Sequence, residues 1–188
     1  MTRLATTGLV ALVLVAAGIG LWLGLRNRAT TRKTELGPST AVPGRTVAPL
    51  GPVALTASDL RARARTLGQD AYWVGPLPAR RYELERTSAG EVFVRYLTTS
   101  ASAGGSQDAT TVGTYPLRSA YTATEALAHR DGWGEEHVEA WLVAYHSASP
   151  GTEVYLAAQG FPYQIEVYDP TPGRARALVE SGAVGPVH

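Results

Sequence analysis

The hydrophobic positions of this 188-residue chain follow two different patterns. Residues Leu4 to Leu25 form one uncharged and mostly apolar run. At about 1.5 Å per residue such a run makes a helix of roughly 33 Å, which is long enough to cross a membrane. From Leu55 onward, apolar residues recur in short segments with the period of a strand or a helix. The pattern therefore predicts a transmembrane anchor over residues 1–25 and a globular domain over residues 55–188.

The segment between them, residues 26–54, has the composition of a linker. Its first part carries a basic group over residues 26–33, and its second part spaces prolines among Gly, Ser and Thr. Such a stretch offers too little contiguous apolar surface to offset the entropy of ordering it. We therefore expect a basic flank followed by a flexible tether that ends at Ala54.

The spacing of apolar residues in the domain predicts an α+β fold with an antiparallel sheet and about three helices. Helices are expected over 57–67, 117–130 and 172–181, and strands over 71–75, 81–87, 91–97, 111–116, 138–147, 152–159 and 163–169. The order of one helix and three strands recurs in the second half. One interpretation is a duplicated α-β-β-β unit that forms a single sheet with its helices on one face.

Local signals set the expected ends of two helices. Thr56, with Asp59 three residues later, matches a helix start. Thr171 followed by Pro172 matches another start, with the threonine as the N-cap. Between the elements, the polar and glycine-containing stretch over 98–110 is expected to be a mobile loop.

The strand expected over 81–87 alternates apolar and acidic residues. Tyr82 and Leu84 should face the core, whereas Glu83 and Glu85 should face solvent. This pattern predicts a strand with one wet face.

Residues 128–141, AHRDGWGEEHVEAW, concentrate histidines and carboxylates. The candidate metal ligands in this stretch are His129, Asp131 and His137. Metal ligands on one helix recur at i, i+3 or i+4, whereas two glycines interrupt any helix here. The spacing therefore favours the end of a helix, where the dipole suits His129, followed by a charged loop without a metal.

The residue inventory removes several enzyme classes. The chain has no cysteine and no serine in a G-x-S-x-G elbow, and its only lysine, Lys33, precedes the domain. Thiol catalysis, Schiff-base catalysis and a phosphate-binding loop in the domain are thus excluded. Hydrolysis by paired carboxylates stays open, because sequence spacing does not show which carboxylates face each other. No cofactor is expected.

The aromatic residues Tyr72, Trp73, Tyr82 and Tyr96 can be explained in two ways. The chain has only two Phe and one Met, so tyrosine and tryptophan are needed in the core. The same rings suit a ligand groove or a partner-binding sheet face. We expect these four residues to build the core, and the alternative is that they form a candidate binding surface.

The apolar run at the N terminus also has two interpretations. Ala16, Gly20 and Gly24 recur every four residues, as in closely packed transmembrane helices. The small residues Ala16-Ala17-Gly18 resemble a signal-peptide cleavage site, but the apolar run continues well beyond them. We expect a retained single-pass anchor with a candidate helix-packing stripe.

Charge is distributed unevenly along the chain. Before Leu55 there are six basic residues and one acidic residue, a net of +5, and from Leu55 there are eleven Arg and fifteen Asp and Glu, a net of −4. An acidic domain is a poor partner for nucleic acid. The basic flank favours a cytoplasmic domain, whereas the Pro-, Thr- and Ser-containing tether is typical of a wall spacer. We expect the domain to be extracytoplasmic.

The segments YWVGP, RYELERT, VFVRYL, TVGTYP and EVYDPTPGRARAL together resemble parts of uncharacterised small membrane-anchored proteins of high-GC Gram-positive bacteria. The resemblance covers Leu55 to the C terminus. It implies the same layout of anchor and α+β domain and brings no activity, ligand or catalytic residue.

The sequence thus predicts a membrane-tethered, non-catalytic binding domain for an envelope protein or for a wall or small-molecule ligand. The alternative is an anchored hydrolase that uses carboxylates or a metal.

Overall fold

The computed structural model describes residues 47–105 and 108–188. The predicted anchor, with Ala16, Gly20 and Gly24, and most of the tether lie outside these residues. Within the described part of the chain, no helix combines the length and the hydrophobicity needed to cross a membrane.

The described domain has an α+β fold built on one eight-stranded antiparallel sheet. Its elements in chain order are β1 (Leu50–Leu55), α1 (Ala57–Ala64), β2 (Tyr72–Trp73), β3 (Arg80–Arg86), β4 (Val92–Thr98), β5 (Thr111–Pro116), α2 (Ala120–Ala128), β6 (Trp133–Val138), β7 (Trp141–His146), β8 (Glu153–Ala157), β9 (Tyr163–Tyr168), α3 (Arg174–Glu180) and β10 (Gly185–Pro186). The large sheet has the order β1-β3-β4-β5-β9-β8-β7-β6, and β2 pairs with β10 separately.

The strand order is symmetric about the boundary between β5 and β9. Four strands from the first half lie on one side of this boundary, and four from the second half lie on the other. The expected unit of three strands is therefore wrong. β1 and β6 were not predicted, and β2, within the strand expected over 71–75, lies outside the large sheet. The helices do not follow the same symmetry, since α1 joins β1 to β3 whereas α2 precedes β6.

The three described helices pack on both faces of the sheet, which corrects the expectation of a single helical face. Alternation along the strands defines a core face, which carries Tyr82, Leu84 and Val94, and a polar face, which carries Glu83, Arg95 and Glu166. Helices α1 and α3 belong to the cluster of the core face. Helix α2 packs on the polar face through Leu127 and Ala128, against Ala144, Trp133 and Tyr155.

The domain begins before the expected boundary. Residues of the predicted tether form β1, which pairs with β3, and the register shifts between Leu50 and Val53. Pro52 is tolerated there because β1 is an edge strand and the proline lies in this irregularity. The Arg86 guanidinium donates to the Ala48 carbonyl and so holds the chain ahead of the strand.

The stretch predicted to be a charged loop contains the opposite edge strand. Trp133 to Val138 pairs with β7 along its whole length, and Glu139, with φ of 54°, begins the turn into β7. The strand was not predicted, because one of its faces carries Trp133, Glu135 and His137 instead of a row of apolar residues. Gly132, with φ of 80°, lies in the turn between α2 and β6.

Glu83 does not face solvent, which is a further correction. Its side chain is fully buried and accepts from Arg95 at 2.8 Å. The Gly104 N–H also donates to Glu83, and Arg95 donates to the Gly105 carbonyl at 3.2 Å. The described part of the loop over 98–110, predicted to be mobile, is therefore anchored over this ion pair.

The cap signals were correct for α1 and wrong for α3. The Thr56 hydroxyl accepts from the Asp59 N–H at 3.2 Å, as predicted. Helix α3 begins at Arg174 with Gly173 as its N-cap in the left-handed region. Thr171 and Pro172 lie in the turn before it, because the Asp169 carboxylate already accepts from the Thr171 N–H.

Candidate functional site

The structure does not assemble His129, Asp131 and His137 into a metal site. His129 caps the end of α2, and its Nε2 lies 3.6 Å from an oxygen of Glu135, with both side chains exposed. His137 lies on β6 and Asp131 in the turn before it, and both are exposed. Across residues 47–105 and 108–188, no group of three or more His, Cys, Asp and Glu side chains is arranged to hold a metal ion.

The four aromatic residues of the candidate binding surface lie in the core. Tyr72, Trp73, Tyr82 and Tyr96 are between 2 and 6% exposed. Tyr82 packs edge-on against both Trp73 and Tyr96, with ring centroids 5.6 and 5.2 Å apart. They are not available as a surface, because their rings are buried in the core cluster.

The tyrosine hydroxyls in the core are satisfied by one backbone segment. The Tyr96 hydroxyl accepts from the Val74 N–H at 2.8 Å and donates to the Gly75 carbonyl at 3.0 Å. The Tyr82 hydroxyl accepts from the Leu77 N–H at 3.0 Å. Burial raises the pKa of Tyr96 above its ordinary value. These rings therefore fix the connection between β2 and β3.

That connection leads to a polar cleft of about 200 Å³ at one end of the central strands. The cleft is lined by the first residue of β3, the last residues of β4, the residues before β5 and the connection from β9 to α3. Arg80 and Thr98 pair in register and lie on the core face with Tyr96. We call it the Asp169 cleft. Its charged and hydroxyl-bearing lining residues include Arg80, Thr98, Asp108, Thr110, Asp169, Thr171 and Arg174.

Asp169 holds three segments of the Asp169 cleft together. Its side chain is only 4% exposed. One carboxylate oxygen accepts from the Thr171 N–H at 2.9 Å, which forms an Asx-turn. The other accepts from the Thr110 hydroxyl at 2.7 Å and lies 3.3 Å from Nε of Arg174. Asp169 therefore joins the end of β9, the approach to β5 and the start of α3.

Several groups around this frame are left for a ligand. Neither the Arg80 guanidinium nor the Asp108 carboxylate forms an ion pair or hydrogen bond with the described residues, and both line the cleft. Arg174 meets Asp169 through Nε, which leaves its terminal nitrogens for a ligand. The hydroxyls of Thr98 and Thr171 complete this set.

The backbone next to the cleft is strained. Ala79, immediately before Arg80, has φ of 53°, a left-handed conformation that costs a non-glycine residue about 1 kcal/mol. Such conformations persist where the surrounding structure fixes them, and they concentrate near ligand sites. The conformation of Ala79 sets the point at which Arg80 enters β3.

Another buried carboxyl, Glu166, lies on the polar face. It is 1% exposed and accepts from the hydroxyls of Tyr115 at 2.5 Å and Tyr155 at 3.3 Å. The Tyr115 ring lies over Gly113, where a Cβ would approach it to 2.8 Å. Burial raises the pKa of Glu166 to about 7, although the two tyrosine hydrogen bonds lower it. This carboxyl can exchange a proton near neutral pH, but it projects from the face opposite to Arg80 and Thr98.

The sequence offered a signal for one part of the cleft only. Asp169-Pro-Thr-Pro-Gly places an aspartate at a strand end before a proline, which is typical of an Asx-turn. Arg80 and Asp108 had no such signal, because their proximity depends on the pairing of distant strands. Glu166 has no local signal either, because it alternates with apolar residues as a solvent-facing strand position does.

No protein-family model, curated protein or solved structure matches the chain. Its function is therefore inferred from its own residues.

Proposed function

We propose that this chain is a membrane-tethered binding protein whose domain binds a small polar ligand in the Asp169 cleft. One observation carries the proposal: side chains of both charges, Arg80 and Asp108, have no partner among the described residues and line a cavity whose frame is fixed by a buried carboxylate. A binding site gains affinity when its polar groups are held in place before the ligand arrives.

The arrangement favours binding over hydrolysis. The Asp169 carboxylate already accepts from a hydroxyl and a backbone N–H and pairs with a guanidinium, so its lone pairs are engaged. Glu166 is the carboxyl with the proton affinity expected of a general acid, yet it is buried under tyrosines on the other face of the sheet. Glu166 and Asp169 therefore do not form the facing pair that carboxylate hydrolysis requires, and Asp108, the other carboxyl of the cleft, lies beside an Asp169 that is already engaged by three groups.

The membrane part of the proposal rests on composition. The uncharged run from Leu4 to Leu25 serves as a single-pass anchor, and the tether holds the domain outside the membrane. An outward-facing domain would meet wall components or envelope proteins.

The symmetric strand order further supports a duplicated unit of four strands as the origin of the sheet.

A ligand screen tests the binding proposal on the full-length chain in detergent micelles. Ligand-observed NMR is measured for a panel of small polar molecules, first with the unmodified chain and then with Arg80→Gln and Asp169→Ala. Arg118→Gln is the matched control, because Arg118 is exposed and does not line the cleft. We expect binders whose signals are lost in the first two variants and kept in the control. Binders indifferent to both cleft variants would contradict the proposal.

Orientation across the membrane is tested with one thiol in this cysteine-free chain. Ser88 is exposed in the turn between β3 and β4, so Ser88→Cys supplies a single accessible label site. A membrane-impermeant maleimide should label this variant on intact cells. Labelling that requires lysis would place the domain in the cytoplasm and end the extracytoplasmic proposal.

A further inference from the structure

We infer that the Asp169 cleft selects an α-amino-acid zwitterion, with Arg80 and Arg174 binding its carboxylate and Asp108 its ammonium group. This inference rests on the proposed binding function and names the class of ligand.

The anionic half of the ligand is assigned to the two arginines. A guanidinium presents its donors in a planar fork that matches a carboxylate. Arg80 uses none of its donors on the described residues, and Arg174 meets Asp169 through Nε. The cleft is therefore lined by two guanidinium groups and keeps one of them oriented by a buried partner.

The cationic half is assigned to Asp108. The Asp169 charge is already balanced by Arg174, whereas Asp108 has no basic partner among the described residues. An ammonium group carries three donors and no acceptor, so it needs a carboxylate or hydroxyl acceptors. Asp108 supplies the carboxylate, and the hydroxyls of Thr98 and Thr171 line the same cavity as further acceptors.

The charge balance of the cleft disfavours a ligand that carries a single charge. The two arginines and two aspartates that line the cleft cancel, so a ligand with a single charge would leave the cleft side chain of its own sign without a partner, Asp108 for an anion and Arg80 for a cation. Charge complementarity contributes more to specificity than to affinity, and a mismatch is penalised. A ligand that carries both charges satisfies Arg80 and Asp108 together.

The size of the cleft limits the ligand further. The cleft, at about 200 Å³, is smaller than the pockets of roughly 300 to 1,000 Å³ that hold drug-sized ligands. An amino acid of small or medium size fits this space, whereas a long peptide or a polysaccharide segment would have to extend outside it.

The test is isothermal titration of the full-length chain in detergent micelles with free amino acids. The probes are glycine and the D and L forms of the protein amino acids. The best of them is then compared with its N-acetyl derivative, which lacks the ammonium, and its amide, which lacks the carboxylate. We expect each derivative to bind about tenfold more weakly or worse than the parent amino acid.

Two variants test which cleft side chain binds the ammonium group of the ligand and which binds its carboxylate. Asp108→Asn should weaken the parent amino acid about tenfold and leave its N-acetyl derivative unchanged, because the derivative has no charge for Asp108 to bind. Arg80→Gln should weaken both, and Arg118→Gln should weaken neither.

The outcomes separate this inference from the proposed function. An N-acetyl derivative that binds as tightly as its parent, and still depends on Arg80, would overturn the zwitterion and keep the cleft as an anion-binding site. If none of the amino acids binds with a Kd below about 10 mM, the assignment of a zwitterion is overturned. Binding that is equal in Arg80→Gln and Arg118→Gln would overturn the inference and the assignment of the site together.

Discussion

Strand β9 and the residue after it carry two buried carboxyl groups, Glu166 and Asp169, that have different surroundings. Asp169 joins three segments through a hydroxyl, a backbone N–H and a guanidinium, and it lines a cleft beside charged groups that have no partner among the described residues. Glu166 meets two tyrosine hydroxyls, and burial raises its pKa to about 7. Burial alone therefore does not make a carboxyl a ligand site. The neighbouring groups determine whether a buried carboxyl holds segments together, titrates near neutral pH or binds a ligand.

The largest effect is expected from Asp169→Ala. The substitution leaves the Thr110 hydroxyl, the Thr171 N–H and Arg174 without their acceptor. At about 1 kcal/mol for each bond, and more for those to a charge, the unfolding free energy should fall by about 3 to 4 kcal/mol. Urea denaturation followed by circular dichroism measures it, with the exposed Asp131→Ala as control. A loss no larger than that of the control would show that Asp169 does not hold the frame.

The next largest effect is the pH dependence that Glu166 gives to the unfolding free energy. Its pKa is raised from 4.5 to about 7, so between these values the folded state keeps a proton that the unfolded state has released. Stability from this group is therefore complete below about pH 4.5 and is lost as pH rises to about 7. At about 1.4 kcal/mol per pH unit the change is up to about 3 kcal/mol. The difference in unfolding free energy between the unmodified chain and Glu166→Gln should change with pH in this window. A difference that stays constant there would contradict the protonated state of Glu166.

The tyrosines offer a smaller and more specific test. Tyr115→Phe removes the shorter hydrogen bond to Glu166, and Tyr155→Phe removes the longer one. Because both bonds lower the pKa of Glu166, each variant should move the midpoint of the pH dependence upward, and Tyr115→Phe should move it further. The same titration of unfolding free energy measures both. A downward shift, or a larger one for Tyr155→Phe, would show that the two hydroxyls have other roles.

The smallest effects are expected at the two histidines. His129 pairs with Glu135 at an exposed position, and His137 is exposed on the edge strand. His129→Gln and His137→Gln should each change the unfolding free energy by less than about 0.5 kcal/mol. Titration with zinc provides the decisive contrast, because stoichiometric zinc binding lost in both variants would restore the metal-site hypothesis.

Local patterns predicted the elements that depend on local chemistry. The cap of α1 at Thr56 and most strands of the sheet follow from residues close in sequence. The two edge strands were not predicted, and the reason differs between them. β1 contains a proline and resembles a linker, whereas β6 carries charges on an exposed edge.

Features that depend on pairing between distant strands could not be predicted. Glu83 alternates as a solvent-facing residue should, and only its position opposite Arg95 and beneath a loop explains its burial. The same limit applies to the cleft. Asp169 has a local signal in its Asx-turn, but Arg80 and Asp108 come together with it only through the order of β3, β4, β5 and β9.

The most direct test of the binding site is protection of a thiol inside the cleft. Thr98 is exposed and lines the Asp169 cleft, so the Thr98→Cys variant of this cysteine-free chain places a thiol there. Ser88→Cys is the control, because Ser88 lies in the turn at the opposite end of the β3–β4 hairpin.

Labelling rates with maleimide are compared with and without the amino acid that binds best. We expect the amino acid to slow labelling of the Thr98→Cys variant only, and we expect the rate to recover when Arg80→Gln is added. Equal rates with and without the amino acid in the Thr98→Cys variant would contradict the proposed binding site.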